Sequence, residues 1–241
     1  MSVWDLWKKN NAAPKCSAVI VAAGSSVRMG SDKLAAQLGS ASVLMRTLRV
    51  FESSEYVNEI VIVTRMDKVS EIADLCAHEG LSKISKVVAG GKTRMESSLI
   101  GVSAVKSSAK LIAIHDAARP LVSETLIKRV VCAAAEHMAA VPVIPSTDTL
   151  KVVDADNRVV GTVDRETTYR VQTPQVFDAI LIKGALTKAA EKGLALSDDS
   201  AAMDMTGFKS FTVAGEEDNI KITTPRDLMI AEAILKSRGE L

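Results

Sequence analysis

Cations in this sequence gather just beyond the ends of apolar runs, in patterns suited to holding phosphate. The first is Ala22-Ala23-Gly24-Ser25-Ser26-Val27-Arg28-Met29-Gly30-Ser31-Asp32-Lys33. Small residues let backbone N–H groups approach phosphate oxygens as a nest of donors, and Arg28 and Lys33 add two cations to that loop. The stretch matches neither G-x-G-x-x-G nor G-x-x-x-x-G-K-[ST], which counts against a dinucleotide fingerprint and a P-loop. A tight turn with two solvated cations is the competing reading. The second pattern is Gly90-Gly91-Lys92-Thr93-Arg94-Met95-Glu96-Ser97. Two glycines before a helix allow a flat base to lie against backbone, with Arg94 and Ser97 as donors; an ordinary glycine turn and N-cap fits equally. In the third, His115-Asp116-Ala117-Ala118-Arg119-Pro120, Asp116 is suited to meet a hydroxyl, a metal or a cation. Arg119 can grip a phosphate through two parallel N–H groups. His115 reads as a packed, hydrogen-bonded residue rather than a base. Lys221, in Asp218-Asn219-Ile220-Lys221, would alone be a surface lysine. No Ser-His or Cys-His arrangement suggests a protein nucleophile.

These loops work together only if the fold brings them to one place. Residues 16–22, 59–64, 84–88, 111–115 and 140–144 are apolar runs that read as buried strands. Helical spacing predicts helices over residues 43–52, with Leu44, Leu48 and Phe51 on one side, and over 67–78, with Val69, Ile72, Ala73 and Cys76 inward. Further helices are predicted over 93–105 and 124–137. The alternation predicts an α/β fold: an open, mostly parallel Rossmann-like sheet with right-handed crossovers and helices on both faces. Ligands in such sheets bind beyond the carboxyl ends of the strands, and the candidate loops lie at that edge.

The rhythm breaks at residues 147–173, where polar and β-branched residues alternate around a turn at Asp154-Ala155-Asp156-Asn157. This predicts an antiparallel hairpin arm with little core of its own, one that needs something to pack on; a partner subunit is one candidate. Helical pattern resumes over 178–192, and Ser197-Asp198-Asp199 can cap another helix. Residues 211–214 and 219–222 read as short strands. Thr224, Pro225 and Asp227 mark the start of a final helix. The reading is one domain with a protruding arm.

Hydrophobic residues make up 47% of the 241-residue chain and charged residues 24%, and the net charge is +1. That balance is ordinary for a globular protein and gives no case for a nucleic-acid partner. Aromatics are only 3%, so Val, Ile, Leu and Ala must fill the core, as suits a parallel sheet covered on both sides. Three scattered cysteines read as free thiols in a reducing cytoplasm. No apolar run reaches the ~20 residues needed to cross a bilayer, no secretory leader is expected, and Trp4 and Trp7 read as packing an N-terminal turn onto the domain.

Taken together, AVIVAAGSSVRMGSDK, VAGGKTRMESS, IHDAARPLV, VPVIPSTDTLK, TVDRETTYRVQTPQVF, LSDDSAAM and EEDNIKITTPRDL, in this order and spacing, resemble the 2-C-methyl-D-erythritol 4-phosphate cytidylyltransferase family from Ser17 to Leu235. The resemblance implies a nucleotide-diphospho-sugar transferase-like fold. It also implies transfer of CMP from CTP to a small sugar-alcohol phosphate, with release of pyrophosphate. By that resemblance Ala22, Ala23, Gly24, Lys33, Gly91, Arg94, Ser97, Asp116 and Ala117 form the CTP site. Arg28 and Lys33 steady the triphosphate and the transition state. Asp116, Arg119, Thr149, Arg165 and Lys221 serve the sugar phosphate, with Arg165 and Lys221 catalytic alongside Arg28 and Lys33. The arm reaches across a homodimer. Mg²⁺ or another divalent ion is held mainly by CTP phosphates, with no protein metal site, and no nucleic acid or membrane takes part. The alternatives are ribitol 5-phosphate as acceptor, UTP or GTP with a sugar 1-phosphate, and a non-catalytic nucleotide-binding regulator. The chain departs from the family loop at Ser26, where a second glycine is usual, and at Asp32-Lys33-Leu34, where Pro-Lys-Gln is usual.

Overall fold

The computed structural model describes residues 13–24 and 32–241. Cys16–Val21 (β1) is the hub, because its β-branched and small side chains can be buried on both faces. It pairs in parallel with Val57–Thr64 (β4) and Leu111–Asp116 (β6), and β4 pairs in parallel with Ile84–Ala89 (β5). Every residue of β6 is buried. Beyond β6 the sheet reverses. Gln175–Asp178 (β11) runs antiparallel between β6 and Ala139–Pro145 (β7). Tyr169–Val171 (β10) pairs antiparallel with β7, and Phe211–Ala214 (β12) pairs parallel with it. The sheet is therefore mostly parallel with a reversed strand inside it, rather than only at its edge. The short pair Gln37–Leu38 (β2) and Ala41–Ser42 (β3) stands apart.

Alternation along the strands divides the core in two. Ala18 and Ile20, Ile60 and Ile62, and Leu111 and Ala113 face Val43–Ser53 (α1), Val69–His78 (α2), Glu124–His137 (α4) and Pro225–Ser237 (α7). Val19, Val63, Ile112 and Ile114 face Arg94–Ala104 (α3), Ala179–Glu191 (α5) and Ser200–Asp204 (α6). Helices thus cover both faces, as the periodicity predicts. A short 3-10 turn at Met66–Lys68 precedes α2, and only Ile72 and Cys76 of its predicted inward set are fully buried.

The termini of these helices carry the signals expected of them. Thr93 caps α3 and Thr224 caps α7, each in a reciprocal capping box with Glu96 or Asp227. One expectation needs correction. Residues 219–222 form no strand: the Ile222 N–H donates to Ala118 O at 2.8 Å instead of joining a ladder. The Ser197-Asp198-Asp199 stretch caps α6 as expected, through Asp198, whose Oδ1 takes the Ala201 N–H at 3.1 Å, while Asp199 turns inward.

The hairpin forms where it is expected. Lys151–Val153 (β8) pairs with Val159–Thr162 (β9) as a separate two-stranded ladder. The turn is closed by Asp154 Oδ1, which accepts the Asp156 and Arg158 N–H groups. Val152, Val153, Val159 and Val160 are 49%, 52%, 61% and 60% exposed, so the ladder has no core beneath it in this chain.

Candidate functional site

The carboxyl ends of β1, β5 and β6 surround a cavity of about 280 Å³. Its wall includes Ala22, Ala23 and Gly24 after β1, Lys33, Gly91 and Thr93 before α3, Arg94 and Ser97 within α3, Asp116 at the end of β6, and Lys221 before α7. Residues from five separate parts of the chain thus meet at one sheet edge.

Asp116 is its electrostatic centre. The residue is 7% exposed. Lys221 Nζ lies 2.8 Å from its Oδ2, Arg94 Nε 3.2 Å from its Oδ1, and Arg119 Nε 3.8 Å from Oδ2. Burial alone would raise the Asp116 pKa; Arg94 and Lys221 outweigh burial and hold the carboxyl well below the usual carboxylate range. The site keeps a fixed negative charge ringed by three cations.

Three loops are laced together to keep those cations in place. Arg119 Nη1 donates to Asn219 O at 2.7 Å, and Asn219 Nδ2 donates to Thr173 O at 2.9 Å. Gln172 Nε2 donates to Glu216 O at 2.7 Å. These bonds tie the segment after β6, the segment before β11 and the segment before α7, which is how Lys221 comes to face Asp116. Below them, His115 is fully buried against Phe51. Its Nε2 faces the Arg119 carbonyl at 3.3 Å, an oxygen that can only accept, so Nε2 holds the proton and donates. Nδ1 then accepts from Thr173 Oγ1 at 3.1 Å, and that oxygen accepts the Asp116 N–H at 3.1 Å. Burial pushes the His115 pKa down to about 3, so the ring is neutral. This is the packed, structural histidine the sequence suggests.

At the other wall, Gly90 and Gly91 let α3 approach β1. A Cβ on Gly90 would come within 2.7 Å of both Ala23 Cβ and Ser97 Oγ. Ser97 accepts the Gly91 N–H at 3.2 Å and gives its own proton to Thr93 O at 2.9 Å. Its hydroxyl therefore shapes the wall rather than offering a donor to a ligand. Arg94 has a second anionic neighbour that the sequence reading missed. Asp199 Oδ2 lies 2.7 Å from Arg94 Nη2. The signal was the doubled acid in Ser197-Asp198-Asp199, which serves two purposes.

Some candidates sit elsewhere. Ala117 is buried, its carbonyl accepting from Thr47 Oγ1, and Ala118 lines the cavity in its place. Arg119 is a mostly buried brace between loops. Thr149 and Arg165 are exposed on the arm side of the molecule and do not line the cavity. Arg28, Ser26, Trp4 and Trp7 lie outside the described residues.

Residues 16–237 match the 2-C-methyl-D-erythritol 4-phosphate cytidylyltransferase family. A protein of that name from Caldanaerobacter subterraneus is 40% identical to this chain over 227 residues, covering 91% of this chain and 98% of the relative. Another, from Halalkalibacterium halodurans, is 41% identical over 224 residues, covering 92% and 97%. Among solved structures, the 4-diphosphocytidyl-2C-methyl-D-erythritol synthase of Anaerococcus prevotii is 33% identical and superposes with a TM-score of 0.82, covering 92% of this chain and 96% of that one. The cytidylyltransferase of Thermus thermophilus gives a TM-score of 0.76 at 32% identity, covering 92% and 99%.

Proposed function

The chain belongs to the 2-C-methyl-D-erythritol 4-phosphate cytidylyltransferase family, and from that premise we propose how its residues move CMP from CTP to 2-C-methyl-D-erythritol 4-phosphate and release pyrophosphate. The observation that supports this division of labour is the meeting of Lys33, Arg94 and Lys221 with Asp116 at one cavity.

An oxygen of the acceptor's own phosphate attacks the α-phosphorus of CTP. A new P–O bond forms there, the bond to the β-phosphate oxygen breaks, and pyrophosphate leaves in line. The attacking oxygen is already ionised near neutral pH, so no base is needed and catalysis rests on positioning and charge neutralisation. Ala22, Ala23, Gly24 and Gly91 receive the nucleotide, and Arg28 with Lys33 offsets charge on the triphosphate. Lys221 holds the incoming phosphate, with its ammonium oriented by Asp116. Arg119 acts from beneath by fixing Asn219 and hence Lys221.

Among the described residues Asp116 is the carboxylate on the cavity wall, and its oxygens already face Arg94 and Lys221. The donor set therefore fits a Mg²⁺ carried by CTP phosphates and water rather than a protein cage. Bound there, the ion neutralises charge on the triphosphate.

Thr149 and Arg165 complete the acceptor site from a second copy of the chain. The exposed valines of β8 and β9 support a homodimer, because a two-stranded ladder with such a face is marginal alone. No described helix is long and apolar enough to cross a membrane. We place the enzyme in the cytoplasm, where free thiols persist and CTP is available.

The test is pyrophosphate release from CTP and Mg²⁺ with 2-C-methyl-D-erythritol 4-phosphate, ribitol 5-phosphate or no acceptor. Release with methylerythritol phosphate alone supports the reading. Preference for ribitol 5-phosphate, or CTP binding without release, overturns it.

A further inference from the structure

The Arg94 side chain is held by two carboxylates. Its guanidinium is planar, and Nε–H and one Nη2–H lie along the same edge. Nε faces Asp116 Oδ1 at 3.2 Å and Nη2 faces Asp199 Oδ2 at 2.7 Å. One edge of the fork is thus shared between two carboxylates from distant parts of the chain. The remaining Nη1 edge has no protein partner among the described residues, and Arg94 lines the cavity.

Arg94 is the charged partner of Asp199, with the Ser98 hydroxyl beside it. Asp199 is 1% exposed, and neither of its oxygens receives a well-aligned hydrogen bond among the described residues. Burial pushes its carboxyl above the usual range despite Arg94. Helix capping falls to Asp198 instead. Asp198 also accepts from Gln175 Nε2 at 2.8 Å and Ser200 Oγ at 2.7 Å, while Gln175 Oε1 accepts the Ser200 N–H at 3.0 Å. Gln175 is fully buried in the reversed strand. The loop bearing Asp199 is therefore clamped to the middle of the sheet, and a buried carboxylate is held rigidly behind a site arginine. Breaking such an ion pair leaves an uncompensated buried charge.

We propose that Asp199 is a positioning residue for nucleotide binding: through Arg94 Nη2 it aims the free Nη1 edge of Arg94 into the cavity, at the CTP side of the site. Asp116 alone would hold Arg94 by one Nε contact, about which the fork can swing. With Asp199 as a second anchor, the guanidinium plane is fixed before CTP arrives. The inference rests on the cytidylyltransferase reading above.

The experiment compares the full-length protein with Asp199→Asn, Arg94→Lys and the double variant. It measures kcat and KM for CTP and for the acceptor, with thermal unfolding alongside. Wild-type turnover with CTP tests the underlying reading by itself. Given that turnover, Asp199→Asn should raise KM for CTP about tenfold or more while kcat and acceptor KM stay within about threefold. The double variant should be no worse in CTP KM than Arg94→Lys alone, because Asp199 acts only through that arginine. An unchanged CTP KM in a folded Asp199→Asn protein overturns the proposal, as does an additive loss in the double variant. If Asp199→Asn does not fold, Arg94→Lys decides. Lysine keeps the charge but cannot span two carboxylates, so an unchanged CTP KM there also overturns it.

Discussion

Lys221 Nζ stands 2.8 Å from Asp116 Oδ2, closing a contact between the end of β6 and the segment entering the last helix. The lysine side chain is 37% exposed, so the pair faces the cavity rather than the core. Asp116 itself is buried, so the pair contributes to stability as well as standing beside the reaction. Lys221→Ala should lower kcat/KM by on the order of 10²-fold, with a moderate fall in thermal midpoint because Arg94 still faces Asp116. Pyrophosphate release and a melting curve on the same sample check both halves.

Arg119 should weigh more on stability. Its Nη1 ties down Asn219, and its side chain is only 12% exposed. Removing it as Arg119→Met leaves Asp116 with one cation fewer and frees the loop that carries Lys221. We expect a loss of stability on the order of 3 kcal/mol, as for other broken buried pairs, together with lost turnover. If Arg119 instead grips the acceptor phosphate directly, acceptor KM rises with the melting point unchanged. Denaturant unfolding beside acceptor titrations separates the two.

His115 predicts a pH dependence of stability. Its folded pKa is down at about 3 because the ring is buried, against an ordinary value near 6.5. Below the ordinary value the unfolded chain takes up a proton that the folded chain refuses. Stability therefore falls as pH drops from about 6.5 toward about 3, by up to about 1.4 kcal/mol per pH unit. His115→Gln can keep the donor to the Arg119 carbonyl without a titrating ring. Its stability should be lower at pH 7 but flatter between pH 7 and 5, as read by urea unfolding at each pH. An equal slope in both proteins would remove His115 as the source.

Which parts of this molecule were legible in advance follows from how local their causes are. The α4 span Glu124–His137 and the Thr224-Pro225 start of the last helix match their sequence signals, because capping and helical period act over a few residues. The strand Gln175–Asp178 was hidden, since four residues beside a helix cap carry no period, and its place between β6 and β7 is decided by partners far away in sequence. Residues 219–222 looked like a strand from their composition, yet the Ile222 N–H is drawn to Ala118 O. Asp116 was visible as a carboxylate at a predicted strand end, whereas Lys221 alone read as a surface lysine and became a candidate only through the family resemblance. Asp199 was not visible, because an acid next to a helix start reads as a cap, and only the fold shows that its neighbour Asp198 already fills that role.

The arm offers the sharpest test of assembly. Thr149 and Arg165 are exposed in one chain and do not line its cavity, while Lys221 does. If a second copy supplies Arg165, then Arg165→Ala and Lys221→Ala damage different halves of a shared site. Each variant alone should be nearly inactive. Co-expressed, they form mixed dimers in which one site has an intact Lys221 from one chain and an intact Arg165 from the other. Activity should therefore return in the mixture, in proportion to the mixed dimer isolated with two affinity tags. A site built within one chain gives no recovery, because every chain then carries a damaged site of its own. Replacing Val159 and Val160 with lysine should abolish the recovery by placing charge on the exposed face of the ladder. Sedimentation of that variant should show the monomer, with its unfolding transition retained because those valines contribute nothing to the core of their own chain.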